Sequence, residues 1–185
     1  MAGTHSTGKS TFVAALRPRL EDIGLRVAIV HDSAADAQEL GFGILADHGF
    51  DSTAWLIGNA IRAEAVASLH ADAIIVDRPV PDALGYLLAA LRHQRRDLGP
   101  GEYGRLEAVC RAWVGEYDLV FVTELDEGVP IGPGRPDDAA FRSAAALAIA
   151  DVMRELAPGA LPLRVGGVEG AIGTCIDMAR ARSGT

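Results

Sequence analysis

The residues best suited to chemistry open the chain. Gly3-Thr4-His5-Ser6-Thr7-Gly8-Lys9-Ser10 fits the pattern GxxxxGK[ST] without a mismatch, and Thr11 follows. This spacing suits a triphosphate: the glycines let the backbone wrap an anion, successive N–H groups and a helix N-terminus point at it, and the lysine reaches the β- and γ-phosphates. Ser10 then falls to a Mg²⁺ ion travelling with the phosphates. His5 is the least informative member, because the middle positions of the pattern vary. The bland alternative is an ordinary glycine turn before a helix. A second group lies in "AIIVDRPVPDALGYLLAA". There an apolar run ending in Asp77 places a carboxylate at the carboxyl edge of a sheet, where it can order water on Mg²⁺. Arg78 follows directly, and a guanidinium at that edge can take a phosphate in bidentate fashion.

Such groups need a scaffold. Runs rich in Val, Ile, Leu and Phe recur as "RVAIVH" (Arg26 to His31), "AIIVD" (Ala73 to Asp77), "LVFVT" (Leu119 to Thr123) and "LPLRV" (Leu161 to Val165), and their lack of alternation suits strands buried on both faces. Helical spacing fills the intervals: Lys9 to about Gly24, Thr53 to Leu69, Asp82 to His93, Glu102 to Trp113, Asp138 to Leu156 and Glu169 to Ala181. The fold class expected is α/β, a three-layer sandwich with a parallel sheet and helices on both faces. Asp51 or Ser52 is expected to cap the third-strand helix and Asp137 the alanine-rich one. Pro18 should kink the first helix or end it early.

One domain over residues 1–185 is expected, since 185 residues are too few for two ordinary ones. Seventeen Lys+Arg against 25 Asp+Glu, a formal charge of −8, argue against a phosphate-backbone footprint and so against nucleic acid as a partner. Cys110 and Cys175 lack zinc-site spacing and read as reduced thiols. No run is apolar enough to cross a membrane and the N-terminus is unlike a signal peptide, so the cytoplasm is the expected location. A homodimer is left open.

The phosphate loop, the acidic residue closing the second strand (Asp32) and "DRPVPDALGY" together resemble the nucleoside and nucleotide kinase branch of the P-loop NTPases. The chain is most similar to small AAA-type ATP-binding proteins that include nicotinamide riboside kinase-like domains, and its DR pair is similar to that of thymidylate kinases. The resemblance implies ATP as donor, Mg²⁺, and a nucleoside- or nucleotide-like acceptor held between the second strand and the Thr53 to Leu69 helix. It assigns Lys9 and Ser10 to phosphates and metal, Asp77 to the metal shell, Arg78 to a phosphate, and Asp32 to the acceptor hydroxyl. The alternative role of Asp32 is to cap the segment after it. The run Ser33-Ala34-Ala35-Asp36 lacks the arginine relatives carry there, and Arg62 is a substitute whose alternative is a surface ion pair. A lid-like segment at about 125–142 brings Arg135 and Arg142 as residues that close over transferring phosphates.

Other features are read more modestly. Glu124 stands where guanine-reading enzymes have lysine, which favours ATP. The Arg92 to Arg96 cluster suits a helix C-terminus, and Trp55 and Trp113 suit core packing. A second function class, a regulatory ATPase signalling through its lid, competes with the kinase. Only Met1 and Ala2 precede the phosphate loop, where a buried strand is normal. The expectation is that in-frame codons upstream of Met1 encode a short apolar strand and that a longer chain is more stable.

Overall fold

The computed structural model describes residues 1–4, 7–125 and 138–183. Strands β1 (Val27–Val30) and β2 (Ala73–Val76) pair in parallel, Val27 opposite Ala73, and β3 (Phe121–Thr123) pairs in parallel with β4 (Leu161–Leu163). Between β2 and β3 stand Met1 and Ala2. The Met1 nitrogen donates to the Val76 carbonyl and the Arg78 N–H to that of Met1 at 3.1 Å. On the other side Ala2 N–H donates to the Phe121 carbonyl at 2.8 Å, and Thr123 N–H returns to Ala2 at 3.0 Å. Two residues thus join the strand pairs in the order β1, β2, residues 1–2, β3, β4, and the phosphate loop leaves from the middle.

Alternation across this sheet sorts the helices. Met1, Ile75, Phe121 and Leu163 pack with α1 (Lys9–Glu21) and α7 (Val168–Ser183) on one face. Ala2, Val120 and Val122 pack with α4 (Asp82–Gln94) and α6 (Ala139–Leu156) on the other. Helices α3 (Phe50–Ala67) and α5 (Glu102–Trp113) extend that second layer through Ile57, Leu84, Leu106 and Val152. The result is the three-layer α/β arrangement expected. Helices α4 and α6 approach closely because their shared face is small: a Cβ on Gly85 would lie 2.6 Å from the Ile149 Cα, and Ala89, Ala90, Ala145 and Ala148 are fully buried there.

Some local expectations are corrected. Pro18 does not end α1, which continues to Glu21. The ring and Ala14, whose carbonyl loses its helical donor, both lie on the exposed side, where water can replace the missing bond. Helix α3 begins at Phe50 with Gly49 as N-cap, and Ser52 acts from the first turn, its Oγ accepting from Gly49 N–H at 3.0 Å. Asp138, not Asp137, caps α6 by accepting from Phe141 N–H at 2.8 Å, while Asp137 lies outside the described residues. A short helix α2 (Ala34–Glu39), unforeseen in the sequence, follows β1. Both cysteines are free thiols. Among the described residues no helix is long and apolar enough to cross a membrane.

Candidate active site

The phosphate loop is held by its own glycines and by β3. Gly3 has φ +135°, and a Cβ there would fall 1.9 Å from Thr123 Oγ1, so the position excludes a side chain twice over. Gly8, at φ +85°, turns the chain into α1 as its N-cap. The Thr7 hydroxyl donates to the Thr4 carbonyl at 2.9 Å and stands 2.7 Å from Thr123 Oγ1. Lys9 Nζ folds back on the loop, donating to the carbonyls of Gly3 at 2.8 Å and Thr4 at 2.6 Å. Burial, together with the Arg78 charge, lowers its pKa to about 8. Ser10 opens α1 beside Lys9. His5 and Ser6 lie outside the described residues.

Asp77 directly follows β2, its N–H donating to the Val30 carbonyl at 2.9 Å. Its Oδ1 is buried without a hydrogen-bond partner, alone in this among the described side chains. An orphaned carboxylate oxygen within electrostatic reach of Lys9 fits a hydrated divalent cation.

Arg78 has a backbone φ of +74°, rare for a side chain larger than glycine's. Its guanidinium turns inward. Nε donates to Asp32 Oδ2 at 2.5 Å, and Nη1 donates to Asp82 Oδ2 and to the Tyr86 hydroxyl, both at 2.9 Å, and to the Gly3 carbonyl at 3.2 Å. Asp82, 1% exposed, uses its other oxygen to accept the Gly3 N–H at 2.8 Å. Burial pushes the Asp82 carboxyl up, against the pull of Arg78 and Lys9. Asp32 is also desolvated, but Arg78 and the Ala34 N–H more than offset burial and hold it below the usual range. That N–H bond, 2.9 Å to Oδ1, is the capping role considered for Asp32, and it coexists with the ion pair.

These groups form the wall of a cavity of about 70 Å³ between the end of β1 and α3, where an acceptor was expected. Asp32, Arg78, Asp82 and Tyr86 line it with His48, and Leu56 and Ala60 of α3 close it. A wider cleft of about 420 Å³, lined by Phe42, Asp47 and Phe141 among others, adjoins it and shares Ile44 and Leu45. His48 stacks on Tyr86 with ring centroids 5.6 Å apart. Arg96, from the basic cluster, donates to the His48 carbonyl at 2.8 Å and so pins the turn carrying this ring.

Asp82, Tyr86 and His48 were missed in the sequence. Asp82 had a signal, an acid four residues after a base at a helix start. Tyr86 and His48 had none, since their neighbours come from distant segments. Arg62 is exposed and donates to Asn59 on its own helix, outside the cavity wall. Arg142 is 5% exposed in the first turn of α6. Arg135 and most of the lid-like segment, 126–137, lie outside the described residues. Glu124 accepts from Arg164 at 2.7 Å at the sheet edge. Trp113 is not purely apolar in its contacts, because its indole N–H donates to the buried Glu64 at 2.7 Å.

A family model described as AAA domain matches residues 1–169. None of the curated proteins matches the chain. Among solved structures, a NadR protein in complex with NAD and AMP-PNP superposes with a TM-score of 0.61 at 18% identity, over 99% of this chain and 48% of that one. A NadR protein in complex with NR gives 0.60 at 17% identity, over 100% and 50%. The chain spans about half the length of these NadR chains, and at such identities the likeness is one of fold.

Proposed function

The chain belongs to the AAA domain family, and from that premise we propose that it is an ATP- and Mg²⁺-dependent phosphotransferase that moves the γ-phosphoryl group to a hydroxyl of a nucleoside-like metabolite. One observation carries the reading. A cavity of about 70 Å³ with an ionised Asp32 in its wall shares Arg78 and Asp82 with the phosphate loop, so donor and acceptor positions are fixed to one another.

The loop N–H groups and Lys9 bind the phosphates, Lys9 leaving the Gly3 and Thr4 carbonyls to do so. Those carbonyls keep Arg78 and Thr7 as donors. Ser10 and the unpartnered Asp77 would hold Mg²⁺, which when bound neutralises charge developing on the transferring group. Asp32 accepts the hydrogen bond of the acceptor hydroxyl and aligns it. A bond forms between that oxygen and the γ-phosphorus while the bond to the β,γ-bridging oxygen breaks, and the hydroxyl proton leaves to Asp32 or to the phosphoryl group. Alignment matters more here than base strength. Arg78 is the positioning residue that holds Asp32.

Charge favours a nucleoside over a nucleotide. Arg78 is the single cation in the cavity wall among the described residues, and Asp32 and Asp82 both meet it, leaving nothing for a phosphate dianion. The cavity of about 70 Å³ opens beside the cleft of about 420 Å³, so the sugar hydroxyls fall to the first and the base to the second. Nicotinamide riboside heads the candidates, because a NadR protein of the same fold was solved with NR. The test is an ATP-consumption screen over nucleosides, nucleoside monophosphates and nicotinamide riboside. Acceptor-dependent turnover is expected, lost in Lys9→Ala together with ATP binding. Equal turnover with and without acceptors would instead support a regulatory ATPase.

A further inference from the structure

We propose that His48 is a specificity residue of the acceptor cavity, its Nε2 accepting a hydrogen bond from an acceptor hydroxyl other than the one that Asp32 orients. This rests on the cavity being the acceptor site of the proposed function.

Geometry assigns the tautomer. Nδ1 lies 2.9 Å from the Leu45 carbonyl, which can only accept, so Nδ1 carries the hydrogen and Nε2 the lone pair. Nε2 has no partner among the described residues, yet it is absent from the fully enclosed orphans, where only Asp77 Oδ1 stands. His48 is 4% exposed as a whole and is one of the residues that line the cavity. The ring cannot easily swing away: Tyr86 stacks on its face at an interplanar angle of 24°, and the backbone is tied by Arg96. Burial, opposed by the Leu45 bond, lowers its pKa to about 4, with Arg78 lowering and Asp32 and Asp47 raising it. The imidazole is therefore a neutral acceptor at physiological pH.

The cavity wall then presents two acceptors, the Asp32 carboxylate and His48 Nε2. A ligand with one hydroxyl satisfies one and strips water from the other. A ligand with two or more satisfies both. Sites that hydrogen-bond a hydroxyl discriminate strongly against analogues lacking it, because the unpaired group remains buried. The chemistry selected is a polyhydroxylated sugar rather than a simple alcohol.

The test compares wild type, His48→Phe and His48→Gln in steady-state transfer from ATP. Nicotinamide riboside, adenosine, 2′-deoxyadenosine and 3′-deoxyadenosine serve as acceptors, with thermal melting in parallel. Phe keeps a stacked ring without the lone pair; Gln returns an oxygen near the place of Nε2. The expected result for His48→Phe is a rise of about 5- to 20-fold in acceptor KM, an unchanged KM for ATP, and lost discrimination against one deoxy analogue. His48→Gln should recover part of both effects, and it carries the test if the Phe variant fails to fold. Transfer by the wild type with the same KM and discrimination in both variants would overturn the role of His48 alone. Absence of transfer by the wild type to every nucleoside would overturn the acceptor reading, and this inference with it.

Discussion

Replacing Gly3 by alanine should damage the fold before it damages catalysis, and the size of the effect can be apportioned. Two penalties coincide at this residue. A φ of +135° is a conformation that side chains rarely adopt, at about 1–3 kcal/mol. Independently, the new Cβ would sit 1.9 Å from Thr123 Oγ1 and 3.2 Å from its Cβ, an overlap of the kind that costs about 1–3 kcal/mol to relieve. Thr123 cannot simply rotate, because its hydroxyl pairs with Thr7 and donates to the Ala2 carbonyl, the contact by which residues 1–2 join β3. The expected loss for Gly3→Ala is about 2–6 kcal/mol, or very roughly 5–20 °C in melting temperature for a chain of this size. Thr123→Ala removes the clashing oxygen and should itself cost about 1 kcal/mol through its lost hydrogen bonds. In the double variant the clash is largely gone while the backbone strain persists, so urea titration of all four proteins should give a favourable coupling of about 1–3 kcal/mol. A coupling near zero would refute the steric part, and a Gly3→Ala cost below about 1 kcal/mol would refute both parts.

Other expectations concern charges around the loop. Because the pKa of Lys9 falls from 10.5 to about 8 on folding, the folded protein binds fewer protons than the unfolded chain between these values. Stability should therefore rise with pH across that window by up to about 1.4 kcal/mol per unit. Lys9→Met should flatten the rise and make the ligand-free protein more stable near pH 7, as measured by denaturant titration; a pH profile parallel to wild type would contradict this. Arg78→Ala leaves Asp32 and the buried Asp82 without their cation and should cost about 3–5 kcal/mol. As Asp32 titrates below its ordinary value, its share of that difference is present above about pH 4 and shrinks as pH falls further. A difference below about 1 kcal/mol at pH 7, or one that grows on acidification, would show that Arg78 does not hold the two carboxylates as described.

How far the site was legible follows from what is local. The phosphate loop, the strand ending in Asp77 and the carboxylate of Asp32 were readable, because each is a side chain in a fixed place relative to a short apolar run. Where α1 would stop after Pro18 was not legible, because helix-breaking is a local rule and the exposure of that side of α1 depends on how the helix packs. Arg78 was readable as a cation at the sheet edge; its partners were not. Its target is decided by a left-handed backbone turn that brings Asp32, 46 residues earlier, and Asp82, four residues later, to one guanidinium.

The same division holds for the whole molecule. The sequence alone determined an α/β chain that opens on a glycine-rich GxxxxGK[ST] loop, since strand runs, helical spacing and the glycine pattern act over a few residues each. Tertiary structure decided what those pieces meet. It placed Met1 and Ala2 between β2 and β3, turned Arg78 toward two carboxylates, and brought His48 and Tyr86 to the wall beside Asp32. These contacts join residues far apart in the chain, and their energies depend on burial, which no short stretch of sequence encodes.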